Sequence, residues 1–211
     1  RQRQMCIRDR ADSVVYFGGL FTTVGESTRN RAAAVGTDGT LKSWDPNVGT
    51  NWAGGVWTIA IAGSTVYLGG SFWSVSATTR NGLAAVGTDG VLKSWNPNPN
   101  GVIYSIIPSG SNVYVGGGFT TIGAATRNRL ALIGNDGTLQ SWSPVAVDGP
   151  VYAMALNGST VYAGGDFTLY NGNTWNPKLI AYGSDGNKID WRPWPNGIVY
   201  ALASTGTSVY L

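Results

Sequence analysis

A four-part phrase recurs along this chain at a nearly constant interval, and this repetition constrains the fold more than any other feature. The phrase consists of Val-Tyr-x-Gly-Gly-x-Phe, Arg-Asn, Asp-Gly and Trp-x-Pro, with Arg-Asn missing from the fourth copy. Its phenylalanines are Phe21, Phe72, Phe119 and Phe167, so successive copies are separated by 51, 47 and 48 residues. A period of this length with several short apolar runs per period is typical of repeat architectures.

Each repeat contains four short apolar runs separated by turn signals. In the second repeat these runs are residues 56–61, 66–68, 83–86 and 91–95. Asp89-Gly90 predicts a two-residue hairpin turn before the last run, and Pro97 ends that run. No stretch of about ten residues shows helical periodicity without Gly or Pro. We therefore expect each repeat to form a meander of four antiparallel strands.

Several runs are apolar on both faces, for example residues 102–107 and 151–155. Such runs indicate sheets that are buried on both sides. We predict an all-β fold, a β-propeller built from four-stranded antiparallel blades, with about four blades in residues 11–211. The pattern begins at a second strand and stops inside a strand, so we expect a piece of a larger propeller, truncated at both ends. A closed four-bladed ring is the alternative.

The order of the motifs resembles the delta-60 repeat, a kelch-like repeat of large bacterial proteins. The residues that carry the resemblance are Asp89-Gly90, Trp95-x-Pro97, Val102-x-Tyr104, Gly116-Gly117-x-Phe119 and Arg127-Asn128. It extends over nearly the whole chain after residue 11, with Trp where the family usually has Phe. The resemblance implies propeller blades and a secreted or cell-surface location in a bacterium.

Residues 1–10 have no counterpart in the other repeats and resemble translated sequencing-adapter read-through. They hold four arginines, one aspartate and Cys6, the only cysteine of the chain. We expect this segment to be a non-native artefact that stands outside the fold; a genuine basic arm is the alternative. The other residues carry equal numbers of positive and negative side chains. The composition therefore predicts no nucleic-acid partner, and no apolar run is long enough for membrane insertion.

The residue types argue against catalysis and metal binding. The chain has no histidine, so neither a Ser-His triad nor a His-ligated metal can form within it. The repeated Asp-Gly turns lack the oxygen ligands of a calcium loop, and no helix follows the Gly-Gly pairs to bind a nucleotide. We therefore predict no catalytic residue, metal or cofactor here. The carboxylates outside the repeated turns and the first ten residues are Asp12, Glu26, Asp45, Asp148, Asp166 and Asp190.

Residues that recur in every copy are expected to build the repeat. We assign a structural role to Trp44, Trp95, Trp142, Trp191, Phe21, Phe72, Phe119 and Phe167. Arg29, Arg80 and Arg127 are expected to hydrogen-bond loop carbonyls or a turn Asp. An anion ring is disfavoured because Trp175 takes their place in the fourth repeat.

Function is expected where the copies differ. Alternate loops of an antiparallel meander lie at opposite ends of the strands, and we call the end that carries the longer, variable loops the rim. Variable loops on a rigid scaffold commonly bind ligands, and unrepeated aromatic rings suit glycans or protein hot spots. The candidate ligand-binding residues are Trp52, Trp73, Tyr170, Trp175 and Trp194. The leading hypothesis is a non-enzymatic binding or scaffold module that engages glycan or protein through this rim. The alternatives are a propeller hydrolase or lyase with catalytic residues in other blades, and a structural spacer. We also expect the chain to self-associate through its unpaired end blade.

Overall fold

A computed structural model describes residues 7–11, 13–50, 54–145, 147–170, 173–174, 178–191 and 193–211. Residues 7, 8, 169, 170, 173 and 174 are described by their backbone only. All regular structure in these ranges is β-strand, as the sequence predicts. In the part of the chain that the structure describes, no helix is long and apolar enough to cross a membrane.

The strands follow the repeats of the sequence. The first repeat holds β1 (Ile7–Ala11), β2 (Val14–Gly18), β3 (Thr23–Val24), β4 (Ser27–Thr28) and β5 (Ala32–Gly36). The second holds β6 (Val48–Gly49), β7 (Val56–Ala62), β8 (Thr65–Gly70), β9 (Ser74–Val75), β10 (Thr78–Thr79) and β11 (Leu83–Gly87). The third holds β12 (Ile103–Ser109), β13 (Asn112–Gly117), β14 (Thr121–Ile122), β15 (Ala125–Thr126) and β16 (Leu130–Gly134). The fourth holds β17 (Val151–Asn157), β18 (Thr160–Gly165), β19 (Leu169–Tyr170), β20 (Asn173–Thr174), β21 (Leu179–Tyr182) and β22 (Lys188–Ile189), and β23 (Ala203–Thr205) and β24 (Ser208–Tyr210) follow.

Each repeat forms one antiparallel main sheet. The strand orders are β1-β2-β5, β7-β8-β11, β12-β13-β16 and β17-β18-β21-β22. The prediction of four-stranded blades therefore holds only for the fourth sheet. In the first three, the fourth run contributes a single bridge, such as Val86 with Leu92. Beyond that bridge, the carbonyl of Lys93 accepts a hydrogen bond from the Arg80 side chain (3.0 Å), so a side chain occupies an acceptor that a longer strand pairing would use.

The main sheets pack face to face in chain order. The first strands of successive sheets are in contact, β1 with β7, β7 with β12, β12 with β17 and β17 with β23. Each hydrophobic core lies between two neighbouring sheets; Tyr16 and Trp44 of the first repeat, for instance, share a core with Val56 and Leu68 of the second. The second, third and fourth sheets, which have described strands packed on each side, are thus buried on both faces, and this explains the runs without polar alternation.

The Gly-Gly pairs permit this close packing. A Cβ on Gly69 would lie 2.8 Å from side-chain atoms of both Ile103 and Ile106 in the next sheet. A Cβ on Gly70 would lie 2.1 Å from the carbonyl oxygen of Gly55. Both distances are too short for a side chain, so the pair marks a place of close approach.

Part of the N-terminal segment belongs to the first sheet. β1 pairs with β2 in the register Ile7 with Gly18 through Ala11 with Val14. Asp9 Oδ2 also accepts a hydrogen bond from the backbone N–H of Ile61 in the second sheet (2.8 Å). The expectation that residues 1–10 stand outside the fold is therefore wrong for residues 7–10. The resemblance of the segment to adapter read-through stays a prediction.

The Asp-Gly loops contain three residues, so the prediction of two-residue turns is also wrong. In the second repeat, Gly87 N–H donates to the carbonyl of Val91 (2.7 Å), which encloses residues 88–90. Asp89 Oδ1 accepts a hydrogen bond from the backbone N–H of Val91 (3.0 Å), so a side chain within the loop also bonds the residue that follows the loop. A side-chain acceptor thus supports one more residue than the tightest hairpin allows.

The repeated tryptophans join neighbouring sheets. Trp95 is 3% exposed, its ring lies edge-on to Tyr67 (centroids 5.1 Å apart), and its Nε1 donates to the carbonyl of Gly134 in the next sheet (2.9 Å). Trp44 and Trp142 make the same pair of contacts with their own counterparts. Trp191 is half-buried and lies edge-on to Tyr162. The repeated phenylalanines Phe72, Phe119 and Phe167 are buried, whereas Phe21 is half-buried.

Candidate functional site

The structure places two of the five candidate rim aromatics. Trp73 is 55% exposed and Trp194 is 56% exposed. Tyr170 lies in β19, where only its backbone is described; Trp52 and Trp175 lie outside the described residues. Trp73 lines a cavity, and Trp194 is not among the residues that line it. The two described candidates are therefore not parts of one cavity.

The Trp73 cavity has a volume of about 320 Å³ and lies where the second sheet meets the chain segment that leads into the third. The β9–β10 hairpin fixes the position of Trp73 on its wall. The backbone N–H of Trp73 donates to Gly49 O (3.2 Å), and its carbonyl accepts from the N–H of Arg80 (2.9 Å). The cavity is lined by Gly70, Ser71, Phe72, Trp73, Asn81, Gly82, Pro99, Asn100, Gly101 and Val102.

The lining of the Trp73 cavity contains no charged side chain. Its polar side chains are held by neighbouring loops. Asn100 Oδ1 accepts the backbone N–H groups of Thr120 (2.8 Å) and Thr121 (3.0 Å), and Asn81 Nδ2 donates to Asn98 Oδ1 (2.7 Å). The lining thus combines one exposed indole with side-chain amides that neighbouring loops hold in place.

Gly82 has a structural counterpart in every repeat. Its N–H donates to Phe72 O and its carbonyl accepts from Gly70 N–H; the same two bonds are made by Arg31 and by Arg129 with the equivalent residues of their repeats. Lys178 likewise accepts from the N–H of Gly165 (3.0 Å). All four residues have left-handed backbones, with φ values of 62° for Gly82, 64° for Arg31, 69° for Arg129 and 36° for Lys178.

In the third repeat, a guanidinium occupies the place that corresponds to the Trp73 cavity. Arg129 Nη1 donates to the carbonyl of Gly118, and Nη2 donates to the carbonyl of Asp148 (3.3 Å). Gly118 is the counterpart of the cavity residue Ser71. Asp148 is the counterpart of the cavity residue Asn100, because each caps the backbone of the following loop with its side-chain oxygen.

The fourth repeat places a cation at the same position. Lys178 Nζ lies 2.8 Å from Oδ1 of Asp166, which is the counterpart of Ser71. The second repeat has glycine there instead, so this part of the rim stays open. It also has Trp73 where the other three copies have threonine. Two departures from the repeat therefore coincide at one place.

Sequence reasoning identified Trp73 but missed Gly82. The signal was present, because the motif Arg-Asn is followed by Arg in the first and third repeats and by Gly in the second. The expectation for the motif arginines themselves is confirmed. Arg80 donates to the carbonyls of Thr79 (2.8 Å) and Lys93 (3.0 Å), and Arg29 and Arg127 repeat this pattern.

The turn carboxylates are engaged in local hydrogen bonds. The side-chain and backbone donors of Thr40 lower the pKa of Asp38, and those of Thr138 lower the pKa of Asp136 in the same way. The backbone and side chain of Asn187 lower the pKa of Asp185. Among the described residues, no group of three or more His, Cys, Asp or Glu side chains is placed to hold a metal ion.

Successive antiparallel sheets that pack face to face define an all-β protein with a propeller-like arrangement of repeats. No family model and no curated protein matches the chain. Among solved structures, 68 chains match, one of which is the Niastella koreensis GH74 enzyme. That match has a TM-score of 0.52 at 14% identity and covers 85% of this chain, which spans 27% of the enzyme's length. The likeness concerns the fold alone. The resemblance to the delta-60 repeat stays a prediction from the sequence.

Proposed function

We propose that this chain is a non-enzymatic β-propeller binding module of a secreted or cell-surface bacterial protein, and that it engages a glycan or a protein through the rim of variable loops. The observation that carries the proposal is the exposed Trp73 ring on the wall of an uncharged cavity of about 320 Å³. The family resemblance supports the location and the blade architecture.

The physical reason lies in what an exposed indole offers. A solvated tryptophan gains free energy when a flat partner covers it, about 0.5–1.5 kcal/mol for an aromatic pair beyond the area buried. The other repeats fold with threonine at this position, so packing within the repeat does not require the ring. The cavity lies near the small end of ligand pockets, which begin at about 300 Å³, and suits one side chain or one sugar ring.

The test compares the wild type with Trp73→Thr, which installs the residue of the other three repeats. Both proteins are applied to a glycan array and used in a pull-down from a bacterial culture supernatant. We expect Trp73→Thr to weaken binding by about two- to tenfold. Trp194→Ala tests a second rim ring that does not line the cavity, and Tyr210→Ala is the control, because that ring is equally exposed (55%) but belongs neither to the candidate rim residues nor to the cavity lining. Equal binding by the wild type and a folded Trp73→Thr variant would contradict the assignment. Variants of Trp52, Tyr170 and Trp175 test whether the rest of the rim contributes.

A propeller hydrolase or lyase is the second candidate function, and the fold likeness to the GH74 enzyme is compatible with it. Most glycoside hydrolases use a pair of carboxylates beside the bound sugar. The Trp73 cavity offers none in its lining. We therefore assign binding, not bond cleavage, to this cavity. A structural spacer would require that neither arm of the binding test gives a signal.

A further inference from the structure

We propose that the ligand of the Trp73 cavity is an arginine side chain of a partner protein. This inference rests on the proposed function for the location of the site and adds the chemical identity of the group that enters it. The chain itself supplies the precedent, because the third repeat fills the corresponding place with the guanidinium of Arg129.

The first step of the argument concerns the hydrogen-bond acceptors. Arg129 donates to two backbone carbonyls, those of Gly118 and Asp148. Their counterparts Ser71 and Asn100 both line the Trp73 cavity. The Ser71 carbonyl oxygen itself lies toward Gly54, 1.9 Å from where a Cβ on Gly54 would stand. A guanidinium has five N–H donors in a rigid plane and no acceptor, so it suits a lining of uncharged polar groups that holds no competing cation.

The second step concerns Gly82. The repeats share the same backbone bonds here, so an arginine at this position can extend its side chain as Arg129 does, whereas Arg31 in the first repeat directs its Nη1 to Asn30 Oδ1 (3.4 Å). Glycine leaves the acceptors without the cation that the third repeat supplies from its own chain. An arginine from outside can then take its place, which makes the contact intermolecular in the second repeat and intramolecular in the third.

The third step concerns Trp73. Replacing the threonine of the other copies with tryptophan sets an indole face beside the position of the guanidinium. Arginine stacks well on aromatic faces, and tryptophan is the best of them for cation–π contact. The cavity lining has no cation that would repel the ligand. A neutral sugar would also use the indole, but nothing in the chain offers an internal precedent for a sugar.

The experiment uses the complete chain and two small probes, N-acetylarginine amide and N-acetylcitrulline amide. Citrulline is the matched control, because it has nearly the same shape and replaces the cationic guanidinium with a neutral urea. Binding is followed by the chemical shifts of the Trp73 indole N–H and of the Gly82 amide. We expect saturable shifts with the arginine probe and at least several-fold weaker binding of the citrulline probe.

Three variants test the geometry. Gly82→Arg fills the cavity from within the chain and is expected to abolish binding of the probe. Trp73→Thr is expected to weaken it by about two- to fivefold. Ser71→Asp introduces the carboxylate that Asp166 provides in the fourth repeat, and it is expected to tighten arginine binding while leaving citrulline unchanged. If Gly82→Arg fails to fold, Ser71→Asp alone decides.

Equal binding of the two probes, or arginine binding that Ser71→Asp leaves unchanged, would overturn the inference. So would a glycan from the array that binds at Trp73 while the arginine probe gives no shift. In that case the proposed binding rim stands and only the arginine assignment fails. If Trp73→Thr leaves every macromolecular partner bound, the proposed function fails independently of the probes.

Discussion

Replacing Trp95 by alanine is the sharpest test of the repeat architecture. The ring is 3% exposed, packs edge-on against Tyr67 and donates to Gly134 in the next sheet. Removing a large buried aromatic side chain costs about 3–5 kcal/mol, because the transfer free energy is lost and a cavity remains. We therefore expect the free energy of unfolding to fall by about that amount in Trp95→Ala.

Trp95→Phe separates the hydrogen bond from the packing. Phenylalanine keeps an aromatic ring near Tyr67 but has no N–H for the carbonyl of Gly134. That carbonyl also accepts from the N–H of Gly137 (2.9 Å), so it retains one partner. The hydrogen-bond loss is then about 0.5–1.5 kcal/mol, and the smaller ring adds a packing cost that keeps the variant milder than alanine.

The assay is urea unfolding of wild type, Trp95→Ala, Trp95→Phe and Trp73→Ala, followed by far-ultraviolet circular dichroism. Trp73→Ala makes the same chemical change at an exposed ring and is expected to stay within about 0.5 kcal/mol of the wild type. A Trp95→Ala loss below about 1 kcal/mol, or one no larger than that of Trp73→Ala, would refute the packing argument.

Three further outcomes are expected. Deleting residues 1–10 should lower the melting temperature, by about 2–4 °C for each kcal/mol lost, because β1 pairs with β2. Deletion of residues 1–6 is the control. Equal melting temperatures of both truncations and the wild type would contradict a role for β1. Arg80→Lys should cost about 1–3 kcal/mol in chemical denaturation, since the two carbonyls are reached from two guanidinium nitrogens, Nη1 and Nη2, and a single ammonium nitrogen cannot take both positions; an unchanged midpoint would count against it. Carboxylates whose pKa is lowered by folding contribute stability that is present at neutral pH and is lost as the pH falls below about 4. The free energy of unfolding, measured from about pH 5 to pH 2, should therefore fall less in a triple Asp→Asn variant than in the wild type. The carboxylates in question are Asp38, Asp136 and Asp185.

The repeat pattern predicted the parts of the fold that depend on burial. Trp95 and Phe119 recur because a buried position accepts few alternatives, and the structure places both in a core between sheets. The Gly-Gly pairs recur for the same reason, since close approach leaves no room for a side chain. The three-residue Asp-Gly loops were missed because Asp-Gly also suits a two-residue turn; in the structure Gly90 N–H donates to Gly87 O (2.9 Å) and Gly90 adds a third, left-handed residue with φ 89°.

The candidate site was only half predictable. Trp73 stands out in the sequence because an aromatic residue breaks the repeat at an exposed position. Gly82 does not, because glycine is frequent in this chain and its importance comes from the arginine that it replaces. The repeat alignment does equate Gly82 with Arg129, but a sequence without structure does not show which carbonyls the arginine would reach.

The hydrogen bond from a tryptophan indole to a glycine carbonyl is the same at three boundaries between repeats. The repeats therefore present equivalent contacts to their neighbours. Trp44, Trp95 and Trp142 each donate to a glycine carbonyl in the following repeat, at 2.9, 2.9 and 3.0 Å. In arrays of this kind the total stability approximates a sum of repeat terms and nearest-neighbour terms. A duplicated or exchanged repeat would meet a matching donor on one side and a matching acceptor on the other. The rim residues of one repeat can therefore change, as at Gly82, while its contacts with the neighbouring repeats stay the same. New binding specificities can then arise one repeat at a time.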